Sequence, residues 1–145
     1  MSRGEGKESF FLDTSIPMYA AGRPSPYKAA CISLLERVEK GEVKAVIDVE
    51  VIQEILYRFF RLSLSGGGEE LARQLLRLGV VVLPITRSDI EAGLDLHERY
   101  ASRRIPPRDT LHVAVMQNND LRKILSFDKH FDAIEEVERI DPLKM

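Results

Sequence analysis

Four acidic residues stand at the edges of apolar segments in this chain. Asp13 closes the run Ser9-Phe10-Phe11-Leu12, and Glu54 lies within the apolar stretch Val49 to Phe60. Asp109 opens the run Thr110 to Met116, and Asp128 follows Ile124-Leu125-Ser126-Phe127. If the first and last runs are buried strands, both aspartates sit where strands end, the edge at which an α/β sheet builds its sites. Carboxylates gathered there repel one another and do not all stay ionised without a cation. Clustered oxygen donors suit a hard divalent ion, Mg²⁺ or Mn²⁺. Such a site can hydrolyse phosphodiester bonds.

The elements that must position these acids follow from the pattern. Ser9 to Leu12, Lys44 to Ile47, Val80 to Leu83 and Lys123 to Ser126 are predicted strands, with Val137 to Ile140 as an edge strand. Between them lie a short helix opened by Thr14-Ser15 and a helix from Ser25-Pro26 to Lys40, stopped by Gly41. Asp48 is placed to cap a helix over Val49 to Leu62. Gly66-Gly67-Gly68 is read as a flexible break before a helix over Glu69 to Leu78. Thr86 or Ser88 caps a helix to about Ala101, Ser102 to Arg108 is a basic loop, and Asp109 to Gln117 is helical. Strands alternating with helices predict a three-layer α/β/α domain with a mainly parallel sheet of four or five strands. One domain spans residues 1–145, with 1–8 as a flexible N-terminal segment. The glycine stretch is no phosphate loop, since it lacks the strand-before, helix-after setting and any Gly-Lys-Ser/Thr.

Each acid also has an ordinary explanation. Asp13 can cap the short helix after it, Asp109 sits where a helix N-cap belongs, and Asp128 can cap the turn Lys129-His130-Phe131. Glu54 can pair with Arg58 at i,i+4 on a solvated face, a contact worth a few tenths of a kcal/mol. A helical wheel places Glu54 off the apolar stripe 51/52/55/56/59, so periodicity does not aim it at a site. Spacing alone leaves both readings open.

The bulk numbers bound the class. At 145 residues, 44% apolar, 30% charged and net charge −2, the chain is an ordinary globular domain with no global sign of a nucleic-acid binder. The single cysteine, Cys31, excludes an internal disulfide and reads as core filler. No run reaches membrane-spanning length and Met1 to Ser9 is polar, so the expected compartment is the cytoplasm. His97, His112 and His130 share no metal spacing, and His112 reads as a satisfied, partly buried histidine. Asp48, Glu50, Asp120 and Asp132 read as capping or surface acids. Arg99, Arg103, Arg104 and Arg108 form the densest basic group. They suit either a solvated helix end or phosphate contact. Tyr19, Tyr27, Tyr57, Phe59 and Phe60 are assigned to the core or to an interface.

Four segments taken together resemble the acidic motifs of PIN-domain ribonucleases. They are Phe11-Leu12-Asp13-Thr14-Ser15, Gln53-Glu54-Ile55-Leu56, Arg108-Asp109-Thr110-Leu111-His112-Val113-Ala114 and Ile124-Leu125-Ser126-Phe127-Asp128-Lys129-His130-Phe131. The tail through Val137-Glu138-Arg139-Ile140-Asp141-Pro142 is similar to the ends of prokaryotic members of VapC type. The resemblance implies a metal-dependent endoribonuclease, with Asp13, Glu54, Asp109 and Asp128 holding Mg²⁺ or Mn²⁺ and leaving a 5′-phosphate and a 3′-hydroxyl. It implies supporting roles for Thr14, Ser15 and Ser126. Arg103, Arg104 and Arg108 would meet the RNA. A small antitoxin and a second copy of the chain are the expected partners. Thr110 follows Asp109 where the family often has Ala. Two other classes compete: a catalytically inactive PIN-like scaffold that binds RNA or protein, and a receiver-type domain. The first is opposed by the presence of all four acids, the second by the lack of a matching phosphoacceptor Asp and late Lys.

Overall fold

The computed structural model describes residues 8–145. The expectation of a flexible segment at 1–8 therefore lies, Glu8 apart, outside the described residues. Five parallel strands form one sheet in the order β3-β2-β1-β4-β5: β1 Ser9–Leu12, β2 Lys44–Asp48, β3 Val81–Leu83, β4 Lys123–Leu125 and β5 Glu138–Ile140. Six helices flank it: α1 Ser15–Ala21, α2 Lys28–Glu39, α3 Val49–Arg61, α4 Ser65–Arg77, α5 Arg87–Arg99 and α6 Pro107–Asn118. This is the predicted α/β/α architecture, with the fifth strand at the edge.

Central β1 is apolar throughout its second half because helices cover both faces of a parallel sheet. Phe11 and Leu12 are fully buried with Ile124 and Leu125 of β4. Their register is Phe11 with Ile124 and Leu12 with Leu125. The backbone N–H of Asp13 donates to Leu125 O at 3.1 Å, which carries the ladder one residue further. Asp13 and Ser126 consequently emerge side by side at the carboxyl edge. β2 ends at the same edge, where Asp48 caps α3 by accepting from Val51 N–H at 3.2 Å.

Three local readings need correction. Gly66, Gly67 and Gly68 lie inside α4 rather than in a break. A Cβ at Gly67 or Gly68 would meet the Phe59 side chain of α3 at 3.1 or 2.8 Å, so the missing side chains let the two helices close on that ring. Asp109 is the third helical residue of α6, not its cap, because Pro107 occupies the first position, where no N–H is needed. Helix α2 begins at Lys28, with Ser25 Oγ accepting from Tyr27 N–H in the preceding turn.

The glycines give a paired prediction. Gly66→Ala has open space around its new methyl, so helix propensity should stabilise the fold by about 0.5–1 kcal/mol. Gly68→Ala would press on the Cβ of Phe59, an atom fixed to the backbone, and should destabilise by about 1–3 kcal/mol despite the same propensity gain. Urea unfolding of the two variants, with opposite signs expected, checks this.

Candidate metal centre

All four acids border one cavity of about 310 Å³, together with Ser15, Arg58, Pro106, Arg108 and His130. They arrive from four directions: Asp13 from the end of β1, Glu54 from the second turn of α3, Asp109 from the first turn of α6, and Asp128 from the segment after β4. Asp13 and Glu54 are buried, although neither belongs to an apolar pattern.

Hydroxyls fix Asp13. Ser126 Oγ donates to Asp13 Oδ2 at 2.6 Å and accepts from Asp128 N–H at 2.9 Å. One serine thus couples the two aspartates across adjacent strand ends. Ser15 Oγ adds a second donor to Asp13 Oδ2 at 2.9 Å. Thr14 is fully buried, its hydroxyl has no hydrogen-bond partner, and it does not line the cavity.

Glu54 is held differently. Arg58 Nη2 donates to its Oε2 at 2.6 Å, the predicted i,i+4 pair. The face is not solvated as expected, because Glu54 is only 5% exposed. Arg108 Nη1 stands 3.6 Å from the same oxygen, while its Nε donates to Glu50 Oε2 at 3.0 Å. Two guanidinium groups therefore share Glu54, which makes it the acid most engaged with protein partners. Arg103 and Arg104 are exposed, the first in a 3₁₀ turn and the second in the left-handed region at φ 58°. Neither lines the cavity.

Histidine spacing concealed one contributor. His130 lies two residues beyond Asp128 in the 3₁₀ turn Lys129–Ala133. Its Nε2 is 2.8 Å from Asp109 Oδ2, but the pair lacks hydrogen-bond alignment and Nε2 has no hydrogen-bond partner. Donor atoms of Asp109, Asp128 and His130 all lie within 4.8 Å of one another. The available signal was that short turn, which returns position 130 to the side of Asp128.

The electrostatics show a site crowded with like charge. Burial first, then the charge of Asp13 and to a lesser degree Glu54, pushes the Asp109 carboxyl up to about 6, against the opposing pull of His112 and His130. Behind the cavity, His112 Nδ1 meets Asp48 Oδ2 at 2.7 Å, and both side chains are wholly buried. Burial opposes a charge on His112, yet the hydrogen bond and charge of Asp48, with Asp109 and Asp13 beyond, raise its pKa overall. Asp48 is thus an interior ion-pair partner as well as a cap, and His112 is fully rather than partly buried. Cys31 is also interior, and burial lifts its thiol to about 11, which fits an inert core residue.

A family model described as PIN domain matches residues 10–137. Ribonuclease VapC13 of Mycobacterium tuberculosis is 34% identical over 129 residues, 89% of this chain and 97% of that protein. Among solved structures, VapC20 of M. tuberculosis, described as a Sarcin-Ricin loop cleaving toxin, superposes with a TM-score of 0.73 at 19% identity, covering 89% of this chain and 97% of that one. A toxin-antitoxin complex from Klebsiella pneumoniae contains a chain with a TM-score of 0.63 at 15% identity, covering 92% and 97%.

Proposed function

Because the chain belongs to the PIN-domain family, we propose that it is a divalent-metal-dependent endoribonuclease and the toxin of a toxin-antitoxin pair. The observation that carries this reading is the convergence of Asp13, Glu54, Asp109, Asp128 and His130 on one cavity. Its donor set fits a cation: carboxylate oxygens, one imidazole nitrogen without a hydrogen-bond partner, and mutual repulsion that a cation would relieve. Asp13, Asp109, Asp128 and His130 would hold Mg²⁺ or Mn²⁺, with Glu54 completing the acidic wall. Such an ion supplies Lewis acidity toward the phosphate and makes water a stronger nucleophile. Ser126 and Ser15 keep Asp13 in one orientation. Glu54 keeps Arg58 and Arg108 at the rim, where guanidinium groups can meet phosphate oxygens. Incubation of RNA with the protein, with and without EDTA, tests the function. Metal-dependent cuts leaving a 5′-phosphate and a 3′-hydroxyl are expected; RNA that is bound but never cut would leave the inactive scaffold instead.

His130 sets an expectation about the ion. An imidazole donor favours Mn²⁺ over Mg²⁺, which prefers oxygen. His130→Ala should weaken Mn²⁺ binding by roughly tenfold or more and Mg²⁺ binding much less. Calorimetric titration of both ions into both proteins measures the change in ratio.

Arg103 and Arg104 are exposed just ahead of α6, which carries Arg108, and are proposed to contact RNA phosphates. The double variant Arg103→Ala/Arg104→Ala should weaken binding to unrelated RNAs and lower the salt slope by roughly one to two units. Affinity measured across a salt series reads this directly, and metal binding should not change.

The toxin would be restrained by a small antitoxin that places a basic side chain in the acidic cavity, since the cavity attracts cations of any origin. Two copies of the chain would pair through the outer surface of α3, where Tyr57 is 46% and Phe60 68% exposed. Light scattering checks the dimer. Among the described residues no helix is long and apolar enough to cross a membrane. The proposed compartment is the cytoplasm.

A further inference from the structure

A second cavity adjoins the carboxylates. It measures about 390 Å³ and is lined by Ser15, Met18, Tyr19, Arg58, Phe127 and Asp128. Ser15, Arg58 and Asp128 also line the carboxylate cavity, so the two are adjacent and share walls. Their linings differ in kind: one is almost wholly charged or hydroxylic, the other adds a thioether and two aromatic rings.

The rings are firmly placed. Tyr19 and Phe127 meet edge to face at 5.4 Å between centroids. Tyr27 braces both, at 5.0 Å from Tyr19 and 4.4 Å from Phe127. All three are half-buried, so ring surface stays open to solvent. Phe127 stands in the chain directly between Ser126 and Asp128, and Tyr19 is carried by α1, which starts at Ser15. The aromatic wall is therefore tied to the same strand end and the same helix that hold Asp13 and Asp128.

We propose that this cavity binds one unpaired nucleobase of the RNA, that of the nucleotide adjoining the cleaved phosphodiester bond. The inference rests on the nuclease reading above. A phosphate lying over the carboxylates leaves the neighbouring nucleotide within reach of the second cavity. The chemistry found there is what an unstacked base takes: aromatic side chains for its flat faces and a guanidinium for its edge or its phosphate. A base held there is unstacked from its neighbours, which costs least where the RNA is already unpaired.

The test begins by mapping one cut in a single-stranded oligoribonucleotide with the Mn²⁺-loaded protein. Abasic nucleotides are then placed in turn around the cut. One flanking position should raise KM roughly tenfold or more while kcat changes little, because stacking contributes to binding of ground and transition states alike. In Tyr19→Leu the intact RNA should already show the raised KM, and the abasic position should add almost nothing. Tyr19→Phe should restore most of the abasic penalty lost in Tyr19→Leu, because stacking needs the ring and not the hydroxyl. An abasic penalty of equal size in wild type and Tyr19→Leu would overturn the assignment, as would the absence of any sensitive flanking position in the wild-type scan, which needs no variant. Wild-type protein that shows no metal-dependent cleavage would overturn the nuclease reading and this inference together, whereas normal cleavage with additive effects would remove this inference alone.

Discussion

Stripped of metal by EDTA at pH 7, Asp109→Asn will melt higher than the wild type, and with Mn²⁺ restored it will fail to cut RNA. Both results follow from one crowded carboxylate. Burial and the neighbouring Asp13 hold the folded-state pKa near 6, above the ordinary Asp value of about 4. Between pH 4 and 6 the folded protein retains a proton that the unfolded chain has already released. Stability therefore falls as pH rises through that window, and at pH 7 the full penalty is present. Removing the charge should return about 2–3 kcal/mol to the metal-free fold, or roughly 7–10 °C in Tm. The same change removes a donor from the proposed ion site, and cleavage should fall on the order of 100-fold or more. Asp13→Asn should lose cleavage likewise. The pH dependence is the sharper check: the metal-free wild type should lose stability from pH 4 to 6, and Asp109→Asn should lose much less. An unchanged pH profile in the variant would remove Asp109 as the source.

The second large effect lies beneath the site. Asp48→Ala should destabilise the protein by about 3–5 kcal/mol, enough to halve the stability of many domains of this size. The substitution strips His112 of its one hydrogen-bond partner among the described residues, within a fully buried pair, and also deletes the cap on Val51 N–H. The pair has its own pH signature. The folded pKa of His112 is raised, so its contribution is fully present below about pH 6.5 and is lost as pH rises through the folded value. Chemical denaturation of Asp48→Ala and His112→Ala, singly and together, measures the pair. Much less than the summed loss is expected in the double variant, because the survivor of either single change is an uncompensated buried group.

The parts legible in the sequence were those governed by local rules. The run Ser9 to Leu12 followed by Asp13 marked a strand end, Asp48 marked a cap, and Gly41 and Gly79 marked helix stops, both at positive φ. The illegible parts depend on what packs above a residue. Glu54 is off the apolar stripe of α3, and only the tertiary approach of Arg108 and the sheet edge buries it. The glycine triplet looked like a break because its partner, Phe59, lies in another helix. Asp48 and His112 are 64 residues apart, and no spacing rule joins them. Ligand spacing among the histidines does not point to His130, because its neighbours at the site are aspartates.

The hydroxyl of Ser126, which bonds both Asp13 and the Asp128 backbone, also sets when the proposed site can form during synthesis. Ser126 follows Asp13 by 113 residues, so the partner serine arrives only after β2, β3 and α6 have been synthesised. Until β4 slots in beside β1, Asp13 has Ser15 but not Ser126 as a hydroxyl donor, and Asp109 and Asp128 do not meet. A nascent or truncated chain lacking β4 therefore lacks the proposed metal site, however well its earlier half has folded. The proposed activity would appear in a single late step, and the proposed antitoxin, made alongside, would have the whole of translation in which to be ready.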